Sequence, residues 1–147
     1  MSNPKMPDPK TFDPTPASTS SEDCPFCHIS STYPASPSAS DSALDPDRLS
    51  PPAFIVLHSS PLCIAFLDIM PLSPGHLLVT TRRHCEKVSD IGEEEARELG
   101  AWLRTLSRVL AGVTGVWDWN IVQNNGMAIA ARSAMLLIGM RLRRSRG

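Results

Sequence analysis

The sequence predicts an α+β domain: an antiparallel β-meander packed on one long α-helix, with a last strand that is incomplete or substituted. Three observations carry this. Short apolar runs between residues 53 and 81 are separated by turn chemistry, as in a meander. An apolar stripe with helical spacing then runs from about residue 91 to 112. Finally, an Asn125-Gly126 turn asks for a returning strand, and the chain answers with apolar and then Arg-rich text.

The 147 residues suit one ordinary domain. A net charge of −1, with 20% charged residues, calls for neither nucleic acid nor membrane. Residues 1–23, "MSNPKMPDPKTFDPTPASTSSED", lack the apolar segment of a secretory signal, and no stretch is long and apolar enough for a membrane span. The expected location is therefore intracellular, cytoplasmic or nuclear. Most of the 14 prolines fall in residues 1–52, a stretch also rich in serine. Such text buries too little apolar area to offset its ordering entropy. Residues 1–22 are expected to be a disordered tail, and residues 30–51 a flexible insertion in a domain spanning 23–126. Between them "CPFCHI" must be held by something other than its sequence neighbours.

From residue 53 the text changes. "AFIVLHSS" and "LCIAFLDI" read as strands, and Pro71 and Pro74-Gly75 turn the chain into a third, "HLLVTT". In the helix, Leu99, Trp102, Leu103, Leu106, Val109, Leu110 and Val113 form the apolar stripe, with Arg97, Arg104 and Arg108 off it. Asp90 and Glu93 fit a capping box, the run Glu93–Glu95 suits the positive end of the helix, and Gly112 or Gly115 can end it. "WDWNIVQNNG" then reads as a strand entering the Asn-Gly turn.

Few side chains carry chemistry. Cys24 and Cys27 are one helical turn apart and suit zinc, with His84 as a third ligand; two unpaired thiols in a loop are the alternative. His76 reads as a capped or hydrogen-bonded surface histidine. His28 and His58 read as ordinary surface or structural residues, and Cys63 as a small core residue. Asp68 ends an apolar strand before a proline turn; it can cap that turn or accept a ligand hydroxyl. "QNNG" offers amides where an anion could meet donors, although Asn-Gly often marks only a turn. The "RLRRSRG" ending reads as a solvated basic tail, part of a divergent segment 127–147, rather than a nucleic-acid arm.

Together "CPFCHI", "LCIAFLDIMPLSPGHLLVTTRRHCEKVSDI", the helix and "WNIVQNNG" resemble the histidine triad (HIT) family of nucleotide hydrolases and transferases, over about residues 24–29 and 53–126. The resemblance implies a meander packed on the long helix, a possible homodimer, and a site for a purine nucleotide such as AMP. It implies that Phe26, Ile29, Phe66 and Ile69 enclose the base, that Asp68 takes the ribose hydroxyls, and that Asn124 contacts the phosphate side. It also implies a zinc site at Cys24, Cys27 and His84, completed by the first histidine of the triad.

That triad is missing. A His-x-His-x-His strand should follow "NNG", yet no histidine occurs after His84. The resemblance implies attack on the α-phosphorus by the middle histidine, with neighbouring imidazoles handling protons. Nothing nearby replaces it: Ser133 lacks a base, and arginines stay protonated. No catalytic residue is therefore assigned, and the zinc site keeps three of its four ligands. "AMLLIGM" at 134–140 is a candidate to fill the strand slot, being apolar on both faces. The readings left are the family's hydrolysis or transfer at a nucleotide α-phosphate, a catalytically inactive nucleotide-binding or interaction protein, and the product of an altered reading frame or retained intron.

Overall fold

The computed structural model describes residues 24–36, 44–85, 87–124 and 135–140, with the backbone alone at 124 and 135–140. Two helices and five strands follow in the order α1 (Pro25–Thr32), β1 (Ile55–Leu57), β2 (Cys63–Leu67), β3 (Leu77–Thr81), α2 (Glu93–Thr114), β4 (Trp119–Asn124) and β5 (Met135–Met140). The strands form one antiparallel sheet in the order β1-β2-β3-β5-β4. The expected meander is β1 to β3. The Asn125-Gly126 turn, the proposed tail 1–22 and the basic ending 141–147 lie outside the described residues.

Strands β2 and β3 are covered on both faces, which explains why they are near-continuous apolar runs rather than alternating ones. Cys63 and Ala65 of β2, with Leu77 and Val79 of β3, pack with Leu99 and Leu106 of α2. Their neighbours Ile64, Phe66 and Leu78 point the other way and pack with Tyr33 and Ala53, joined by Phe26, Ile29, Leu44 and Leu49. Residues 30–32 complete α1, and Leu44 and Leu49 seat their part of the expected insertion on the core. The apolar side chains of that segment, sparse as they are, find a sheet face that the long helix does not use.

The helix begins two residues later than the sequence suggests. Asp90 closes a short 3₁₀ turn, Val88–Asp90, where its carboxylate accepts the Lys87 N–H at 3.0 Å. Gly92 is the N-cap of α2, and Glu95 accepts the Gly92 N–H at 2.7 Å, the returning half of a capping box. Gly115 ends the helix at φ +69°, a left-handed turn that favours glycine. The stripe is narrower than its sequence: Val109 and Val113 are exposed, and Ser107 and Ala111 take buried positions on the last turns.

Glu95 is buried and also receives two hydrogen bonds from Arg83, at 3.0 and 2.6 Å. The Arg83 bonds, ahead of opposing burial, hold the Glu95 carboxyl below its ordinary value. A carboxyl depressed on folding stabilises the native state above its unfolded pKa, about 4.3, and loses that contribution as pH falls through the folded value. Glu95→Gln should lower stability by about 1–2 kcal/mol near neutral pH, discounted for the half-exposed Arg83. The deficit should shrink below about pH 4. Urea midpoints at the two pH values check this; an equal deficit at both would contradict it.

Candidate functional site

On the sheet face away from α2 lies a hollow of about 450 Å³, lined by α1, by residues 49–53, by the end of β2 and the turn after it, and by Leu78. Phe26 of α1 stacks on Phe66 of β2, with ring centroids 5.6 Å apart and planes 27° apart. Ile29 and Ile69 line the same space. Asp68 caps the turn, the first of the two roles open to it from sequence. Its Oδ1 accepts the Met70 N–H at 2.8 Å, capping the turn, and the residue also lines the hollow.

His76 decides what the second oxygen of Asp68 can do. The histidine is buried, not at the surface as expected, because β3 begins beside it and Asp68 N–H bonds its carbonyl at 3.0 Å. Its Nδ1 accepts the Leu72 N–H at 3.1 Å, so that nitrogen carries no proton and the ring proton sits on Nε2. The 3.5 Å approach of Nδ1 to Asp68 Oδ2 is therefore no hydrogen bond. Oδ2 keeps its acceptor capacity.

"CPFCHI" is held by Phe26 and Ile29 packing on the sheet face, and the end of its helix by Arg82, a residue the sequence did not single out. Its guanidinium donates to Ser60 O at 2.7 Å, His58 O at 2.7 Å, Tyr33 O at 2.8 Å and Ser30 O at 3.3 Å. One side chain thereby ties the end of α1 to the β1–β2 connection. Burial lowers the Arg82 pKa, yet an arginine remains charged.

At the start of α1, Cys24, Cys27 and His84 bring their ligand atoms within 4.8 Å of one another. Cys27 Sγ lies 3.2 Å from His84 Nδ1. Burial, then the adjacent Cys24 sulfur, pushes the Cys27 thiol up to about 12. Two sulfurs and an imidazole at this spacing fit a tetrahedral zinc site with three protein ligands. Cys63 is fully buried in β2, as a core residue should be, and burial pushes its thiol up to about 12 as well.

Of the six residues expected at a nucleotide, Phe26, Ile29, Phe66, Asp68 and Ile69 converge on one hollow. For Asn124 the backbone alone is described: it ends β4, opposite Met135. Sequence reasoning missed Leu49 and Pro51, at the end of the segment read as a flexible insertion, and Pro52 and Ala53 just after it, all of which line the hollow. The cue was present in Leu49 and the Pro51-Pro52 pair, an apolar and rigid end to an otherwise polar stretch.

The last strand answers the question posed by the missing triad. Residues 135–140 enter the sheet between β3 and β4, pairing Leu78 with Leu137 on one side and Val122 with Leu137 on the other. Directly opposed residues of an antiparallel pair share a face. The register thus sets Met135 and Leu137 on the face of Thr80 and Leu78, the face of the hollow, and Gly139 follows at the same period.

This fold and site define a small α+β domain of the HIT type. The HIT domain model matches residues 50–133, and the chain belongs to that family. It is similar to adenosine 5'-monophosphoramidase hnt1 of Schizosaccharomyces pombe, 31% identical over 72 residues that make up 49% of this chain and 51% of that protein. It is also similar to the AP-4-A phosphorylase of Mycobacterium tuberculosis, 30% identical over 54% of this chain and 40% of that one. The chain thus spans about half the length, or less, of these curated relatives. A zinc-bound histidine triad family protein from Mycobacterium smegmatis shares the fold, with a TM-score of 0.64 and 22% identity over 86% of this chain and 81% of that one. Among the described residues, no helix is long and apolar enough to cross a membrane.

Arg82→Ala should cost about 2–4 kcal/mol, because it leaves carbonyls from separate segments without their donor. Arg82→Lys should recover less than half of that, since one ammonium cannot reproduce the fork. Urea denaturation of both variants tests this, and a lysine variant of full stability would refute it.

Proposed function

We propose that this chain binds a purine nucleotide in the hollow and does not turn it over. The base stacks within Phe26, Ile29, Phe66 and Ile69, Asp68 Oδ2 accepts the ribose hydroxyls, and the phosphate lies toward Asn124. The apolar lining, the stacked aromatic pair and the free acceptor on Asp68 support this reading. So do the names of the two curated relatives, both of which concern adenosine nucleotides.

The register of β5 carries the second half of the proposal. The family's nucleophile belongs on a strand after "NNG", facing the nucleotide. Here the strand in that place presents Met135, Leu137 and Gly139 on the hollow's face. None of these attacks phosphorus or relays a proton. His76 cannot substitute: its Nδ1 is engaged with Leu72 and its ring is buried.

Cys24, Cys27 and His84 would hold zinc, and the zinc-bound relative supports that metal. Bound there, zinc supplies a structural tie between α1 and the end of β3. With no histidine after residue 84 to complete it, the described cluster lends three ligands.

AMP at 100 times its Kd should stabilise the fold by about 2.7 kcal/mol, visible as a raised Tm, while adenosine phosphoramidate is released unchanged. Asp68→Asn should weaken AMP about tenfold by removing a charged acceptor. Turnover above background, or a nucleotide covalently attached to the purified chain, would defeat the inactive reading. A melt indifferent to AMP would defeat the nucleotide reading. For the metal, purified protein should contain clearly less than one zinc per chain, and Cys27→Ser should lower it further. Stoichiometric zinc in that variant would remove the cluster from consideration.

A further inference from the structure

We propose that Cys24, Cys27 and His84 form a three-coordinate site for copper(I), which this donor set holds in preference to zinc. The inference rests on the cluster named in the metal reading above and changes its metal. It does not depend on the nucleotide reading.

The number of donors separates the two ions. Structural zinc is held almost always by four ligands in a tetrahedron. Here the ligand atoms of three residues lie within 4.8 Å of one another, and among the described residues no further His, Cys, Asp or Glu joins them. The end of the chain holds none in reserve: after Asp118 no His, Cys, Asp or Glu occurs. Its sulfur-bearing residues are Met127, Met135 and Met140, whose thioethers are soft, neutral donors. Zinc would have to draw its fourth ligand from solvent. Copper(I) carries a single charge and a filled d shell, and two or three soft donors satisfy it.

Thiolates suit both ions, so the third donor also counts. His84 Nδ1 lies 3.2 Å from Cys27 Sγ, so this nitrogen faces the sulfurs. Its Nε2 is buried and has no partner among the described residues. A ligating histidine ordinarily donates that N–H to a carboxylate or carbonyl, which makes the ring a stronger base. Without that bond the two sulfurs dominate the site, and the softer ion gains.

The donors are set in place by backbone on both sides. Cys24 is the N-cap of α1 and Cys27 its third residue, so both sulfurs rise from one helical turn. Opposite them, the Arg82 N–H donates to Leu62 O at 2.8 Å and the Thr81 hydroxyl to Arg83 O at 2.7 Å, which fixes the chain just before His84. No donor beyond residue 84 is needed to assemble the site.

Metal competition on the full chain tests this, under anaerobic and reducing conditions. Copper(I) is supplied as its bathocuproine disulfonate complex, and zinc under a colorimetric chelator. One copper(I) per chain should transfer to the protein, with a dissociation constant at least about 100-fold below that for zinc. X-ray absorption at the copper edge should show two sulfur neighbours and one nitrogen. His84→Ala should weaken copper(I) about tenfold and abolish zinc binding, since two thiolates still satisfy only the former. Cys27→Ser should weaken copper(I) at least about 100-fold. Cys85→Ser removes a buried thiol outside the cluster and should change copper(I) affinity by less than about twofold. Thermal melts show which variants fold; the competition and the copper spectrum of the unaltered chain decide without them. Zinc held at one per chain and not displaced by copper(I) would overturn the inference and leave the cluster standing as a zinc site. Equal losses in Cys85→Ser and Cys27→Ser, or a copper spectrum without sulfur, would overturn it as well. Retention of neither metal would defeat the inference together with the metal reading it rests on.

Discussion

The site depends on the Arg82 fork. Helix α1 lays Phe26 and Ile29 against the sheet face, with Phe26 stacked on Phe66. Its end is tied down where the guanidinium next to β3 reaches the carbonyls of Ser30 and Tyr33 and those of His58 and Ser60 in the β1–β2 connection. Burial makes each of those carbonyls expensive to leave unpaired. Through Tyr33 the same contact reaches the segment at 49–53 that lines the hollow.

The sheet keeps its architecture while its chemistry changes, because the two have different requirements. A strand between β3 and β4 must supply backbone hydrogen bonds on both edges and apolar bulk on both faces. "MLLIGM" does both without a single polar side chain. Catalysis at phosphorus requires imidazoles on alternate residues, and no amount of packing supplies them. A sheet slot can therefore be filled by residues that satisfy the fold without supplying imidazoles.

Asp68 and His76 show how local bonds set the character of the ligand face. By accepting the Leu72 N–H, His76 gives up the chance to donate to Asp68 from Nδ1. Its Nε2 finds no protein partner among the described residues. Asp68 spends one oxygen on the turn and keeps the other for the hollow. The strand–turn–strand segment from 67 to 77 thus presents a carboxylate oxygen at the edge of an apolar cavity.

Much of this was legible in the residues alone. Apolar runs and turn prolines marked β1 to β3, and helical spacing marked α2, because these are local patterns whose period reveals the element. The Cys-x-x-Cys pair, His84 and Asp68 were visible as residue types that suit ligands, and the family resemblance pointed to Phe66. Tertiary structure decided the rest. It buried His76, moved the α2 cap from Asp90 to Gly92, and turned Val109 and Val113 outward. It seated Leu44 and Leu49, from a stretch that composition marks as unfolded, on a sheet face that only exists once distant strands have paired. It also made Arg82 a hub, since the carbonyls it bonds lie 22 to 52 residues away along the chain. Sequence alone determined that no histidine follows residue 84; the fold alone determined that residues 135–140 stand where one would be needed, because strand register is a property of paired backbones and not of any single segment.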